Sequence, residues 1–309
     1  MLAIVGFGNH VRKNILPALE RINISIKFIV VRDTSRYFPE EVDKYKLIDS
    51  LDLILNDPSI THIYIATPNS THVDISKRAL RANKNVLCEK PVSRFSHDVE
   101  DIIHLAKKMD RKFSEMSMFM HHKQYDFISK TVFSSKYSQI KRARFVFRIP
   151  HLDKNNVRYS ALLHGGAILD LGFYPLSAVV SLFPESDFKS ADVFTEEGYE
   201  VDTHGRAMFK KGTVEIICEW GFGFDYENFI EFELIDGVLK AERAFTKPAD
   251  YESIVEVIRT DGSYDKIETG QDDHFANVFN DFLYNDEKNY NNIIKRARLI
   301  EEIYNINVG

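Results

Sequence analysis

The chain reads as an α/β protein in two parts. Residues 1–118 form a doubly wound parallel sheet, and residues 119–309 form an α+β domain on an open-faced, mainly antiparallel sheet. Three observations predict this. The first third alternates short apolar runs with amphipathic helical patterns, and a glycine turn joins the first run to the first helix. Beyond residue 119, strand-like runs succeed one another without helices between them. A length of 309 residues suits two domains of roughly 150 residues each.

The predicted strands of the first part are 2–5, 26–31, 62–66, 85–88 and 112–116. Most are apolar on successive residues, as when helices cover both faces of a parallel sheet. Helical patterns lie between them at 9–22, 71–82 and 96–109. Val73, Ile75, Ala79 and Leu80 make one apolar stripe, and Val99, Ile102, Ile103 and Ala106 another, with Ser96 as the N-cap of the last helix. Strand–helix–strand repetition predicts right-handed crossovers.

In the second part a helix is expected at 125–133. The run 141–149 alternates, with Ala143, Phe145, Phe147 and Ile149 against Arg142, Arg144, Val146 and Arg148. His164-Gly165-Gly166 opens an apolar helix reaching Phe183. Asp170 and Pro175 inside it predict a buried helix rather than a membrane span. Strands follow at 188–195, 203–209, 213–220, 229–235, 238–241 and 254–258. Lys210-Lys211-Gly212 and Asp236-Gly237 are the hairpin signals. Helices at 271–283 and 291–305 close the chain.

Composition removes several function classes. Forty Lys plus Arg against 46 Asp plus Glu give a net charge of −6, which argues against a nucleic-acid partner but leaves room for a local phosphate pocket. Two cysteines, Cys88 and Cys218, supply neither a disulfide framework nor a four-thiolate zinc site, and they fit a reducing cytoplasm. No basic region precedes the opening apolar run, so a signal peptide and a membrane partner are not expected. Eleven histidines include no His-x-x-x-His spacing, and His121 and His122 would point apart; no metal site is expected.

Gly6-Phe7-Gly8-Asn9-His10 follows the first strand and opens the first helix. That is the context a Rossmann dinucleotide fingerprint requires. Gly6 makes the tight turn, Gly8 lets the backbone approach a pyrophosphate, and the helix N-terminus receives the phosphate. Val11 replaces the third glycine of the pattern, weakening the match at helix–strand packing. The second strand ends at Arg32-Asp33. An acid there would bind a ribose 2′-hydroxyl and give NAD; an arginine would accept a 2′-phosphate and give NADP. Placing Arg32 at the strand end, with Arg36 nearby, favours NADP over NAD. A solvated Arg–Asp pair is the structural alternative, and a shift of one residue reverses the choice.

Three further motifs carry a resemblance. Ala66-Thr67-Pro68-Asn69-Ser70-Thr71-His72 ends the third apolar run, Glu89-Lys90-Pro91 ends the fourth, and Gly165-Gly166-Ala167-Ile168-Leu169-Asp170-Leu171-Gly172-Phe173-Tyr174 lies in the second half. With the glycine loop and Leu16-Pro17-Ala18-Leu19, this set resembles the Gfo/Idh/MocA family, which includes glucose–fructose oxidoreductase and inositol dehydrogenase. The resemblance implies an NAD- or NADP-dependent oxidoreductase acting on a small sugar, sugar nucleotide or cyclitol. It implies that Lys90 stands beside the nicotinamide and the substrate oxygen, that Asp170 places the substrate, and that Thr67, Pro68, Asn69, His72 and Glu89 flank the cofactor. Tyr174 takes a position that holds histidine in many members and tyrosine in some. The resemblance also implies a homodimer or homotetramer through the open sheet face, which as an apolar surface would need cover.

Elementary chemistry gives these residues work independently. Hydride addition to a carbonyl leaves an alkoxide that needs a proton, which a phenol or ammonium can supply. Asp170 and Tyr174 are four apart, so on a helix they share one face. Lys90 would steady the developing oxyanion. Arg148, His151, Arg158 and His164 populate the substrate half, and Arg148 or Arg158 suits a sugar phosphate or carboxylate. Each has a structural alternative: a strand-end lysine for Lys90, a salt bridge for Asp170, a core tyrosine for Tyr174 and solvated strand ends for the arginines. Pro91 sets a turn, cis or trans. Two other functional readings stay open: a dinucleotide sensor or scaffold without turnover, and a reductase of a non-sugar such as an imine or tetrapyrrole.

Overall fold

A computed structural model describes residues 1–134, 140–288 and 290–306. The chain divides into two compact units. One comprises Met1–Met116 and Phe275–Ile294, the other Ser117–His274 and Lys295–Gly309.

The first unit holds a six-stranded parallel sheet. Its strands are β1 (Leu2–Val5), β2 (Ile26–Val30), β3 (Leu47–Ile48), β4 (His62–Ile65), β5 (Asn85–Cys88) and β6 (Phe113–Glu115). Their order is β3-β2-β1-β4-β5-β6. The strand order reverses between β1 and β4, the place where doubly wound sheets bind nucleotides. All four residues of β1 are buried, as the unbroken apolar run requires. Helices His72–Arg81 and Ser96–Lys108 are crossovers. In the first of these, His72 and Ser76 are buried with Ala79 and Leu80, so two polar residues take inner positions where Val73 and Ile75 were expected. Ser96 is the first residue of its helix rather than its cap; Ser93 Oγ instead accepts from Phe95 N–H and donates to Asp98.

The segment that returns to this unit late in the chain breaks the expected single division near residue 118. Helix His274–Tyr284 carries the reason. Phe279 packs edge-on against Tyr64, and Phe282 against His62. Lys112 Nζ donates to the carbonyls of Asp281 and Asn285.

The second unit holds an eight-stranded sheet: β7 (Ile140–Ile149), β8 (Asp187–Phe194), β9 (His204–Lys211), β10 (Val214–Phe222), β11 (Glu227–Leu234), β12 (Gly237–Glu242), β13 (Ser253–Arg259) and β14 (Tyr264–Gly270). The order is β14-β13-β12-β11-β7-β10-β9-β8, antiparallel throughout except for the β7–β10 pair. One face packs on helix Phe173–Leu182, with Phe145, Trp220, Phe222 and Phe232 fully buried. The apolar segment Ala161–Leu182 is long enough to cross a membrane, but its most apolar 18 residues are 83% buried in the protein.

The other face is not the apolar surface expected. Arg142 pairs with Glu215 and Glu233, Arg144 with Glu219 and Glu231, and Arg148 with Glu219 and Glu227. Cross-strand opposite charges satisfy this face within the sheet itself.

Candidate active site

The glycine loop sits where β1 ends. Gly6 has φ 106, and a Cβ there would fall 2.3 Å from the carbonyl oxygen of Ala66, so no other residue fits. Gly8 is different. It is exposed, and a Cβ there would meet nothing within 4 Å. The chain itself does not require glycine at this position. Open space over a helix start that presents backbone N–H groups fits the pyrophosphate of a dinucleotide. The helix then opens with a π-turn over Val11–Ile15, in which Leu16 N–H donates to Val11 carbonyl. Pro17 follows and has no N–H with which to continue the α pattern. Val11, in place of the third glycine, is 1% exposed and lies in this widened turn.

The Glu89-Lys90-Pro91 motif follows β5, and its Lys90–Pro91 peptide is cis. The carboxylate of Glu89 accepts from Tyr64 Oη at 2.5 Å and pairs with His10 Nε2 at 3.1 Å. His10 Nδ1 in turn meets Asn14 Nδ2 at 3.0 Å. Lys90 N–H reaches Glu89 Oε2 at 3.3 Å. Burial works to raise the Glu89 pKa, but His10, the Tyr64 hydroxyl and the Lys90 charge outweigh it and hold the carboxyl below its ordinary range. The network ties the helix behind the glycine loop to the backbone that carries Lys90.

His72 departs from its expected role. It is fully buried, with Nδ1 2.8 Å from Pro91 carbonyl and Nε2 2.8 Å from Thr67 carbonyl. It fastens the Thr67 loop to Pro91 from a buried position. Burial pushes its pKa down. Thr71 Oγ donates to Thr67 Oγ and to Pro68 carbonyl, which leaves Pro68 and Asn69 at the rim of the loop, both half-buried.

Past β2, Asp33 is committed locally. Its carboxylate accepts from Ser35 N–H and Oγ at 3.0 and 2.6 Å and pairs with Arg36 at 3.5 Å. These bonds, led by that from the Ser35 hydroxyl, lower its pKa. Arg32 is exposed and, among the described residues, has no ion-pair partner. Phe7 is buried under Arg12, whose guanidinium lies 3.9 Å from the ring centre and pairs with Glu41 at 2.6 Å.

In the second unit, Asp170 lies in a π-turn over Ile168–Gly172, and Tyr174 stands in the helix that continues from it. Arg158 Nε donates to Asp170 Oδ2 at 2.6 Å. The Asp170 charge raises the Arg158 pKa, and Tyr174 also acts on it. Three expected site residues are thus brought together. Tyr174 is 5% exposed, its ring set among Phe119, Phe147, Phe173 and Phe245. Gly165 and Gly166 seat this helix start. Gly166 N–H donates to Arg158 carbonyl and Gly165 N–H to Ser160 carbonyl, and a Cβ on Gly165 would strike Arg158 carbonyl oxygen at 2.3 Å.

The family model for an oxidoreductase family with an NAD-binding Rossmann fold matches residues 1–117. Over these residues the chain matches the Gfo/Idh/MocA family. Two relatives are dTDP-3,4-didehydro-2,6-dideoxy-alpha-D-glucose 3-reductases. That of Streptomyces violaceoruber is 28% identical over 75% of this chain and 68% of its own, and that of Actinomadura kijaniata is 28% identical over 84% and 80%. A solved 3-ketoreductase from Actinomadura kijaniata, in complex with NADP and TDP-benzene, superposes with a TM-score of 0.90 at 25% identity, covering 98% of this chain and 96% of that one. Solved variants of that ketoreductase replace one lysine and one tyrosine. The two stand as far apart in its chain as Lys90 and Tyr174 do here.

Arg148, His151 and His164 each have their own local setting. Arg148 lies on the face of β7 opposite Phe147, which packs on Tyr174, and is held at 2.9 and 3.0 Å by Glu219 and Glu227; it does not join Asp170. His151 stacks on Tyr199 at 5.6 Å and pairs with Glu196 at 3.3 Å. His164 takes a left-handed backbone, φ 55, at the end of the turn Ala161–Leu163.

Sequence reasoning missed Asp202. Its carboxylate accepts from Ile168 N–H at 2.6 Å, capping from another segment the turn that carries Asp170. Gly166, at φ 122, leaves room for it: a Cβ there would lie 2.2 Å from Asp202 Oδ1. Burial pushes the Asp202 pKa up to about 7, against the opposing pull of backbone donors at Ile168 and Ala167. A carboxyl whose folded pKa exceeds its unfolded value favours the fold most at low pH. Its contribution declines from the unfolded value, 3.8, through about 7. Thermal unfolding across pH 4 to 8 should therefore show the wild type losing stability relative to Asp202→Asn. Asp202→Ala should cost about 1 kcal/mol near pH 4 through the lost cap, and less as the pH rises toward 7. Parallel pH profiles for wild type and Asp202→Asn would refute the protonation argument.

Proposed function

We propose that this protein is an NADP-dependent oxidoreductase that moves a hydride between the nicotinamide and a keto or hydroxyl carbon of a sugar, with a sugar nucleotide as the favoured form. The observation that carries the reading is the Gly8 position, open at a helix start and not required to be glycine by any packing in the chain, within residues that match a family with an NAD-binding Rossmann fold. NADP over NAD is supported by Asp33, which is occupied by Ser35 and Arg36, and by Arg32, which is left open to a 2′-phosphate. The bound nicotinamide supplies or accepts the hydride at the reacting carbon.

The chain's residues handle the remaining chemistry. Lys90 donates to the substrate oxygen and offsets the charge that develops on it. Tyr174 provides the proton from a phenol held in place by aromatic packing on several sides. Asp170, already paired with Arg158, orients a sugar hydroxyl. Tyr174→Phe keeps the packing and removes the proton, so kcat should fall at least ~10-fold with KM little changed. An unchanged rate from pH 6 to 9 would reduce Tyr174 to packing.

A homodimer or homotetramer through the open face of the second sheet belongs to the same reading. With Arg and Glu rows on that face, association would rest on charge and loosen in salt. Light scattering at low and high ionic strength tests this; a monomer under both conditions would rule it out. A cytoplasmic location is supported by two cysteines that are both free and buried.

A further inference from the structure

The short turn Val157–Tyr159 sends neighbouring side chains to two different places. Arg158 binds Asp170 through Nε alone. Among the described residues its two terminal nitrogens have no hydrogen-bond or ion-pair partner. A guanidinium so placed presents a fork suited to phosphate oxygens. Tyr159 turns instead toward a cavity of about 300 Å³ lined by Lys154, Asn155, Ser160, Tyr159, Tyr199 and Glu200.

This cavity has the parts that hold a nucleobase. Tyr159 and Tyr199 meet at 4.7 Å and form an aromatic wall. His151 backs Tyr199 in a parallel stack, 7° between planes. Tyr199 Oη and Tyr159 Oη both approach His151 Nδ1, at 3.3 and 3.4 Å, and Leu152 N–H donates to Tyr159 Oη at 3.0 Å, so the wall is braced. Asn155 and Ser160 can read polar base edges. Lys154, 6.0 Å from the Tyr199 ring centre, adds a cation beside the wall. The volume is at the lower end of small-molecule sites and suits a base with part of its ribose.

We propose that residues 154–160 and Tyr199 form the nucleotide subsite of a nucleoside diphosphate sugar, with the sugar at Asp170, a phosphate at Arg158 and the base against Tyr159 and Tyr199. The proposal rests on the sugar-nucleotide reading above and gives it a location. Backbone bonds from Gly165 and Gly166 to residues 158–160 couple this subsite to the helix start that carries Asp170.

Titration calorimetry of the full chain with thymidine diphosphate, without NADPH, is the test. Wild type should bind it. Tyr199→Ala should weaken binding ~10-fold or more through lost stacking, while Tyr199→Phe retains it. Lys154→Glu, an exposed change that should leave folding intact, should weaken it as well. NADPH affinity should stay at the wild-type value in all three. The subsite proposal is overturned if the wild type, still binding NADPH, ignores millimolar thymidine diphosphate. It is equally overturned if Tyr199→Ala and Lys154→Glu both bind the nucleotide like the wild type. Tyr199-dependent nucleotide binding in a chain that fails to bind NADPH would leave the subsite standing and remove the hydride-transfer reading instead.

Discussion

Lys90→Met should lower turnover by ~10²-fold while NADPH binds as before, because a charge-assisted donor aimed at a developing oxyanion contributes on the order of 3 kcal/mol to barrier lowering. Methionine nearly matches the length of the lysine stem and removes only the charge and the proton. The supporting shell should survive the change. Glu89 keeps its bonds from Tyr64 and His10, and His72 keeps Pro91 fastened to Thr67. The loss should therefore appear in kcat rather than in cofactor affinity. Steady-state rates paired with fluorescence titration of NADPH separate the two. Near-normal turnover would remove Lys90 from the chemistry, and a parallel loss of NADPH affinity would recast it as a cofactor ligand.

Arg32→Ala should narrow the preference for NADPH over NADH by ~10-fold, the lower end for a hydrogen bond to a charged group because the site is exposed. The effect should fall on NADPH alone, since NADH has no 2′-phosphate for the guanidinium to meet. Asp33 should not take over as a ribose ligand while Ser35 and Arg36 hold it. Freeing it with Ser35→Ala should in turn favour NADH. Wild-type protein that binds NADH as tightly as NADPH would defeat the assignment without any variant.

Much of the architecture was legible because long periodic runs dominate it. β1 and β5 fall at the residues the sequence pattern predicts, since runs of four and three consecutive buried apolar residues flanked by turn signals leave few alternatives. The segment 32–61 was not legible. Its strand, Leu47–Ile48, has two residues, and its helices, Pro39–Tyr45 and Leu51–Asn56, have seven and six, too short for a period to register. β14 was missed for another reason: Tyr264–Gly270 is a polar, largely exposed edge strand without an apolar alternation to read.

At the site, local spacing placed Asp170 and Tyr174 on one helical face, but not the contact of Asp170 with Arg158. It could not reveal Asp202, which acts from 34 residues away, nor the bonds by which His72 fastens Thr67 to Pro91. Such roles belong to partners distant in sequence. Arg148 misled because strand alternation decides which face a residue takes, and Arg148 shares its face with glutamates.

The late return of residues 275–294 bears on biosynthesis. During translation the parallel sheet is fully synthesised by residue 116, yet the aromatic cover for Tyr64 and His62 leaves the ribosome only after some 160 more residues have followed. Through that interval the nascent chain carries an unfinished apolar patch, the kind of surface that chaperones hold and that promotes aggregation.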